Sequence, residues 1–103
     1  MHNHNVTVAN NVATYHQRDG YIVCGKNDNK ITFAFDFVWE AYTNKIARFK
    51  WNGGFEDVPI EGNTVTVPII TNSSQIEVGV YVDGLHATTA AIIPCKEDEN
   101  EES

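Results

Sequence analysis

Apolar and polar residues alternate one for one along most of this chain. In "TVTVPIITNSSQIEVGVYVDG", Thr64 to Gly84, Val65 and Val67 alternate with threonines, a polar patch follows, and Ile76, Val78, Val80 and Val82 alternate again. A period of two sends successive side chains to opposite faces of an extended chain, so each run predicts a strand with one dry and one wet face. Strands are expected over Val6–Ala9, Val12–His16, Tyr21–Cys24, Ile31–Val38, Ile46–Trp51, Phe55–Ile60, Thr64–Val67, Gln75–Val82 and His86–Ile93. Between them lie "QRDG", "GKNDNK", "WNGG", "IEGN", "TNSS" and "VDGL", whose Gly, Asn and Asp suit tight turns. Many short strands at this spacing predict an all-β sandwich or barrel. Helical periodicity is confined to "VWEAYTNK", two turns at most, which reads as a loop or short turn crossing between sheets.

The most apolar strand is "ITFAFDFV". Continued alternation would put Ile31, Phe33, Phe35 and Phe37 on one face, against Thr32, Ala34 and Asp36, and make that aromatic face the centre of the core. On this reading Phe35→Ala opens a cavity that costs about 3–5 kcal/mol. A second strand, "IARFKW", sets Ala47, Phe49 and Trp51 against Arg48 and Lys50. The glycines of Asn52-Gly53-Gly54 predict a tight hairpin that pairs it with "FEDVPI".

A chain of 103 residues is expected to fold as one domain with a modest core. The division expected is an N-terminal arm over 1–11, a sandwich over 12–95 and a disordered acidic tail over 96–103. The net charge of −7 owes much to "EDENEES", which holds five of the fourteen acids. The seven basic residues are scattered, and only Lys45, Arg48 and Lys50 cluster, as a solvated strand face would. Nucleic-acid binding by phosphate neutralisation is therefore not expected. No apolar run approaches the length of a membrane span, and "MHNHNVTVANN" lacks the basic start and apolar core of a leader, so no membrane or secretory destination is expected.

Candidate chemistry is sparse. His2 and His4 form an H-x-H pair, with His16 and His86 elsewhere, but no acid or cysteine is spaced to complete a metal site. Cys24 and Cys95 follow no metal-ligand spacing and read as two small thiols, with a disulfide joining the chain's ends as the alternative. The acids Asp36, Glu40, Glu56, Asp57, Glu61, Glu77 and Asp83 fall at polar strand positions or turns; Asp36 reads as an exposed charge that suppresses edge pairing. No nucleophile elbow or phosphate-binding loop is present in the sequence. No catalytic residue, cofactor or metal is expected, and the protein reads as a non-enzyme. Trp39, Tyr42, Trp51, Phe55 and Tyr81 could supply a carbohydrate platform, although core packing accounts for most of them.

The order of motifs from Ile31 to Ile93 resembles a recurrent β-sandwich module of bacteriophage virion proteins. The matching features are the pair Trp39 and Tyr42, the "A-x-F" strand at Ala47 and Phe49, and the Val67-Pro68 step. The "VGVY" strand from Val78 to Tyr81 and the pair Thr88-Thr89 complete the set. Such modules occur in head fibres, head decorations and the N-termini of upper baseplate proteins of Firmicutes and Bacteroidetes phages. The chain departs from the pattern after Pro68, where "IITNSS" replaces a helical turn, and no receptor-binding domain follows the sandwich in this sequence.

What the resemblance implies is a small antiparallel, immunoglobulin-like β-sandwich serving as a virion structural protein, assembled in the bacterial cytoplasm. A capsid decoration or head-fibre subunit is the first expectation, a tail or baseplate module the second. Docking on the capsid or another virion protein would use the arm, through Val6, Val8 and Val12, as an added strand. The arm would then be dispensable for folding, and a homodimer or homotrimer is expected. The alternative is a carbohydrate-binding module giving weak adhesion to a host glycan through Trp39 and Tyr42.

Overall fold

The computed structural model describes residues 2–17, 20–71, 73–82 and 86–96. The strands in chain order are β1 (His2–Ala9), β2 (Val12–Tyr15), β3 (Ile22–Val23), β4 (Asn29–Phe35), β5 (Ile46–Trp51), β6 (Gly54–Pro59), β7 (Thr64–Thr66), β8 (Gln75–Val82), β9 (His86–Ala87) and β10 (Ala91–Lys96). One four-residue helix, α1 (Phe37–Glu40), stands between β4 and β5. They build a small all-β sandwich: one sheet has the order β2-β1-β4-β7, the other β3-β10-β8-β5-β6, with β9 also beside β8. Its pairings are antiparallel except for β1 with β4 and β3 with β10, which run parallel.

The alternation read from the sequence sorts the side chains between the layers. Ile76, Val78, Val80 and Val82 of β8 turn inward, as do Ala47 and Phe49 of β5 and Ile31 and Phe33 of β4, to form one core. The hairpin of β5 and β6 closes through Asn52-Gly53, with Trp51 opposite Gly54 and Arg48 opposite Asp57. Between the pairs Tyr81–Ala87 and Val78–Ala91, Gly79 and Val80 of β8 face Thr88, Thr89 and Ala90, so the last strand carries one extra residue, a bulge. There Thr89 leaves its own sheet. Its N–H bonds the carbonyl of Asn11 and its carbonyl accepts from Ala13 N–H, which ties the edge of the first sheet to the second.

Two expectations are corrected by this arrangement. Residues 1–11 do not form an arm outside the sandwich: from His2 onward they are β1, hydrogen-bonded between β2 and β4. Val6 and Val8 are 0% exposed and belong to the core, so neither side chain can face a partner. The hairpin that makes this so turns at Asn10 and Asn11, both with positive φ of 54° and 63°, the backbone that a two-residue hairpin requires and asparagine tolerates. Second, the aromatic face of β4 stops early. Phe33 is buried, Phe35 is half-buried beside it in a stacked pair, and Phe37 is 91% exposed. The strand ends at Phe35 because Asp36 turns the chain into α1, and the two-residue parity ends with it. Phe33, not Phe35, is the large residue whose loss would open the core. Of the expected acidic tail, Lys96 belongs to β10, and residues 97–103 lie outside the described residues.

A polar knot sits inside the otherwise apolar interior. Asn29 is fully buried; its Nδ2 donates to the carbonyl of Val23 at 3.0 Å, and its Oδ1 accepts from Val23 N–H at 3.1 Å. One amide side chain thus extends β3 as a strand partner would. His4, also buried, lies with Nε2 3.4 Å from the same Oδ1 and Nδ1 3.2 Å from the Tyr15 hydroxyl, which assigns the proton to Nε2. Burial lowers the His4 imidazole below its ordinary value of 6.5, against the bond to Asn29, which raises it, and His2 nearby lowers it further. Because the folded value is the lower one, the unfolded chain binds the extra proton as the pH drops through 6.5, and stability is lost from there down to the folded value. We expect the His4 contribution to unfolding free energy to fall between pH 7 and pH 5, by no more than about 1.4 kcal/mol per pH unit, the limit for one proton. His4→Gln should flatten that dependence in urea titrations across the same range; an unchanged slope would show that His4 is not its source.

Candidate functional site

Two surfaces stand out once the frame is built, one at the end of the sandwich where α1 lies and one on the outer face of the larger sheet. The first begins with Asp36. Its carboxylate accepts from Trp39 N–H at 2.9 Å, capping α1, and from Asn10 N–H at 2.9 Å, so one side chain pins the helix to the β1–β2 turn. The bonds from Trp39 and Asn10 hold this carboxyl below the usual aspartate range. Asp36 is therefore a cap and a clamp, which corrects the expectation that it only blocks edge pairing. Asn11 adds a second tie by accepting from the indole Nε1 of Trp39 at 2.8 Å.

These ties decide where the helix side chains go. Trp39 is 1% exposed and packs edge-on against half-buried Tyr42, with ring centroids 5.2 Å apart at 87°. A glycan platform needs two open aromatic faces side by side, and here Trp39 is buried and set at 87° to Tyr42, so the expected platform at Trp39 and Tyr42 is corrected: Trp39 belongs to the core and Tyr42 packs against it. With Trp39 turned inward, the preceding residues must point out. Phe37 and Val38, 55% exposed, project at the same end as Val12, which follows the Asn10-Asn11 turn and is exposed too. Of the three valines expected to meet a partner, Val12 alone is on the surface.

The second surface belongs to β5, β6 and β8. Arg48 donates to Asp57 through Nε at 2.7 Å and Nη2 at 2.9 Å, and Tyr81 donates its hydroxyl to the same carboxylate at 2.9 Å. The guanidinium lies 5.0 Å from the ring centroids of both Phe55 and Tyr81. Hydrogen bonding from Arg48 holds the Asp57 carboxyl low, and the bond to Asp57 raises the Tyr81 phenol. Beside this stack a groove of about 470 Å³ runs over Gly79. The basic trio divides accordingly: Arg48 is paired, Lys45 donates to the Tyr42 carbonyl at 2.7 Å and covers Phe35, and Lys50 is exposed opposite Glu77.

The cysteines lie at the other end. Both are free, Cys24 half-buried and Cys95 buried; burial, with Cys24 beside it, pushes the Cys95 thiol up to about 12. Among the described residues, no three His, Cys, Asp or Glu side chains are grouped to hold a metal ion, and no helix is long and apolar enough to cross a membrane. The groove, Asn29 and the α1 clamp were not anticipated from the sequence. The clamp had a signal in Asp36 standing three residues before Trp39, the spacing of a helix cap.

No protein-family model, no curated protein and no solved structure matches this chain.

Proposed function

We propose that this protein is a noncatalytic docking subunit of a bacteriophage virion, a capsid decoration or head-fibre component that attaches through the α1 end of its sandwich. The phage assignment rests on the order of motifs between Ile31 and Ile93 and on the all-β sandwich that this order implies. The choice of surface rests on one observation. Phe37, 91% exposed, and Val38 stand on a turn that Asp36 and Asn11 hold rigidly against the β1–β2 hairpin. Because the backbone that carries it is already tied down, a partner that covers this large apolar side chain orders only its rotamers, which favours it as a binding anchor. Attachment by this end replaces attachment by an N-terminal arm, because β1 is committed to the core. A homodimer or homotrimer would present several such ends at once and strengthen weak individual contacts.

The test is to mix the purified chain with phage capsids assembled without it and with isolated tails, and to sediment each. Saturable, stoichiometric co-sedimentation with capsids is the expected result; binding to tails alone would move the subunit to the baseplate reading. A monodisperse monomer that associates with neither overturns the proposal.

A further inference from the structure

We propose that the groove above Gly79, on the outer face of the larger sheet, binds a ring of a neutral sugar. Gly79 sits in the interior of β8, between Arg48 of β5 and the bulge at Thr88, a position where glycine weakens a strand and often accompanies a bulge or leaves room for a close approach. Nothing in the backbone demands it. Its φ is not positive, and a Cβ built there would meet Thr88 Oγ1 at 3.5 Å and Ala90 Cα at 3.9 Å, ordinary contacts. What its missing side chain does is leave open the floor of the groove, whose 470 Å³ falls in the range of small-ligand sites.

The rim defines the ligand. Arg48, Lys50 and Glu77 line it; Arg48 is already neutralised from outside the groove by Asp57 on β6, and Lys50 stands opposite Glu77, so the charges around the groove cancel and an anion finds no uncompensated cation. Arg48 spends two of its five N–H groups on Asp57; Lys50 offers an ammonium, Glu77 a carboxylate, and Thr88, whose Oγ1 accepts from Val80 N–H, has its own O–H to donate. Donors and acceptors interleaved on a neutral rim match hydroxyl groups, each of which both donates and accepts. Tyr81 lines the groove and supplies the aromatic surface against which the C–H face of a sugar ring packs. An apolar peptide side chain would use the Tyr81 ring but would strip water from the Lys50 ammonium and the Glu77 carboxylate and offer them no hydrogen bond in return.

The full chain, labelled with nitrogen-15, is titrated with glucose, galactose and N-acetylglucosamine, and separately with inorganic phosphate and a short apolar peptide. Saturable shifts at millimolar sugar, confined to amides of 48–50, 77–81 and 87–90, are the expected result. Gly79→Leu, which fills the floor without backbone strain, should abolish them, and Glu77→Gln, at an exposed site, should weaken them severalfold with the melting temperature unchanged. No saturable response to any of the sugars overturns the proposal. So does a response that Gly79→Leu leaves intact, or one given to phosphate or peptide in place of sugar. The groove is separate from the α1 end, so loss of capsid binding in α1 variants leaves this titration unaltered, and a failed titration leaves capsid docking standing.

Discussion

A chain shortened by residues 1–11 is expected not to fold. β1 lies inside the first sheet with β2 on one side and β4 on the other, so its removal strips hydrogen bonds from two strands and exposes the faces that Val6 and Val8 cover. Burying two valines contributes about 1.5–3 kcal/mol each, and the unpaired backbone of β4 adds to the loss. A domain of this size has about 5–15 kcal/mol in hand, and the sum of these losses reaches into that range. The far-UV circular dichroism of the truncated chain should lose its β signal and its cooperative melt. A truncated chain that melts cooperatively near the full-length temperature would show that the first strand is dispensable after all.

Trp39→Ala should be the most damaging single substitution at the α1 end, costing about 3–5 kcal/mol, the range for emptying a large aromatic site. Trp39 is the buried residue of a helix only four residues long, and the bond from its indole to Asn11 is lost with it. Phe37→Ala, two positions earlier and in water, should leave stability within about 0.5 kcal/mol of the parent. Urea unfolding of the two variants measures the contrast directly. Equal effects would mean that α1 does not turn Trp39 inward and Phe37 outward.

The contrast between these neighbours also marks where sequence reasoning stopped. Period-two alternation located the strands to within a few residues because side-chain parity is a local property: β5 and β8 begin and end where the pattern does. It failed at Asp36, where a carboxylate bonded to two backbone N–H groups ends the strand and swaps the two-residue period for a helical turn. The same alternation in Val6, Val8 and Val12 was legible, but the position of those residues in the chain suggested an arm. The Asn10-Asn11 turn, which folds them back as a hairpin, was the signal to weigh. Asn29 and the groove were not legible at all. An amide that completes a strand 6 residues earlier in the chain, and a glycine left bare by a bulge on the next strand, are products of tertiary pairing that no local pattern records.

Docking through the α1 end is the claim on which the functional account turns, and it can be separated from folding because Phe37 and Val38 contribute nothing to the core. The direct measurement is capsid co-sedimentation of the double variant Phe37→Asp, Val38→Asp beside the unaltered chain, with the melting temperature of each recorded. The account predicts that the variant melts within a few degrees of its parent and loses capsid binding by at least tenfold. A variant that melts normally and binds as tightly as its parent would contradict it.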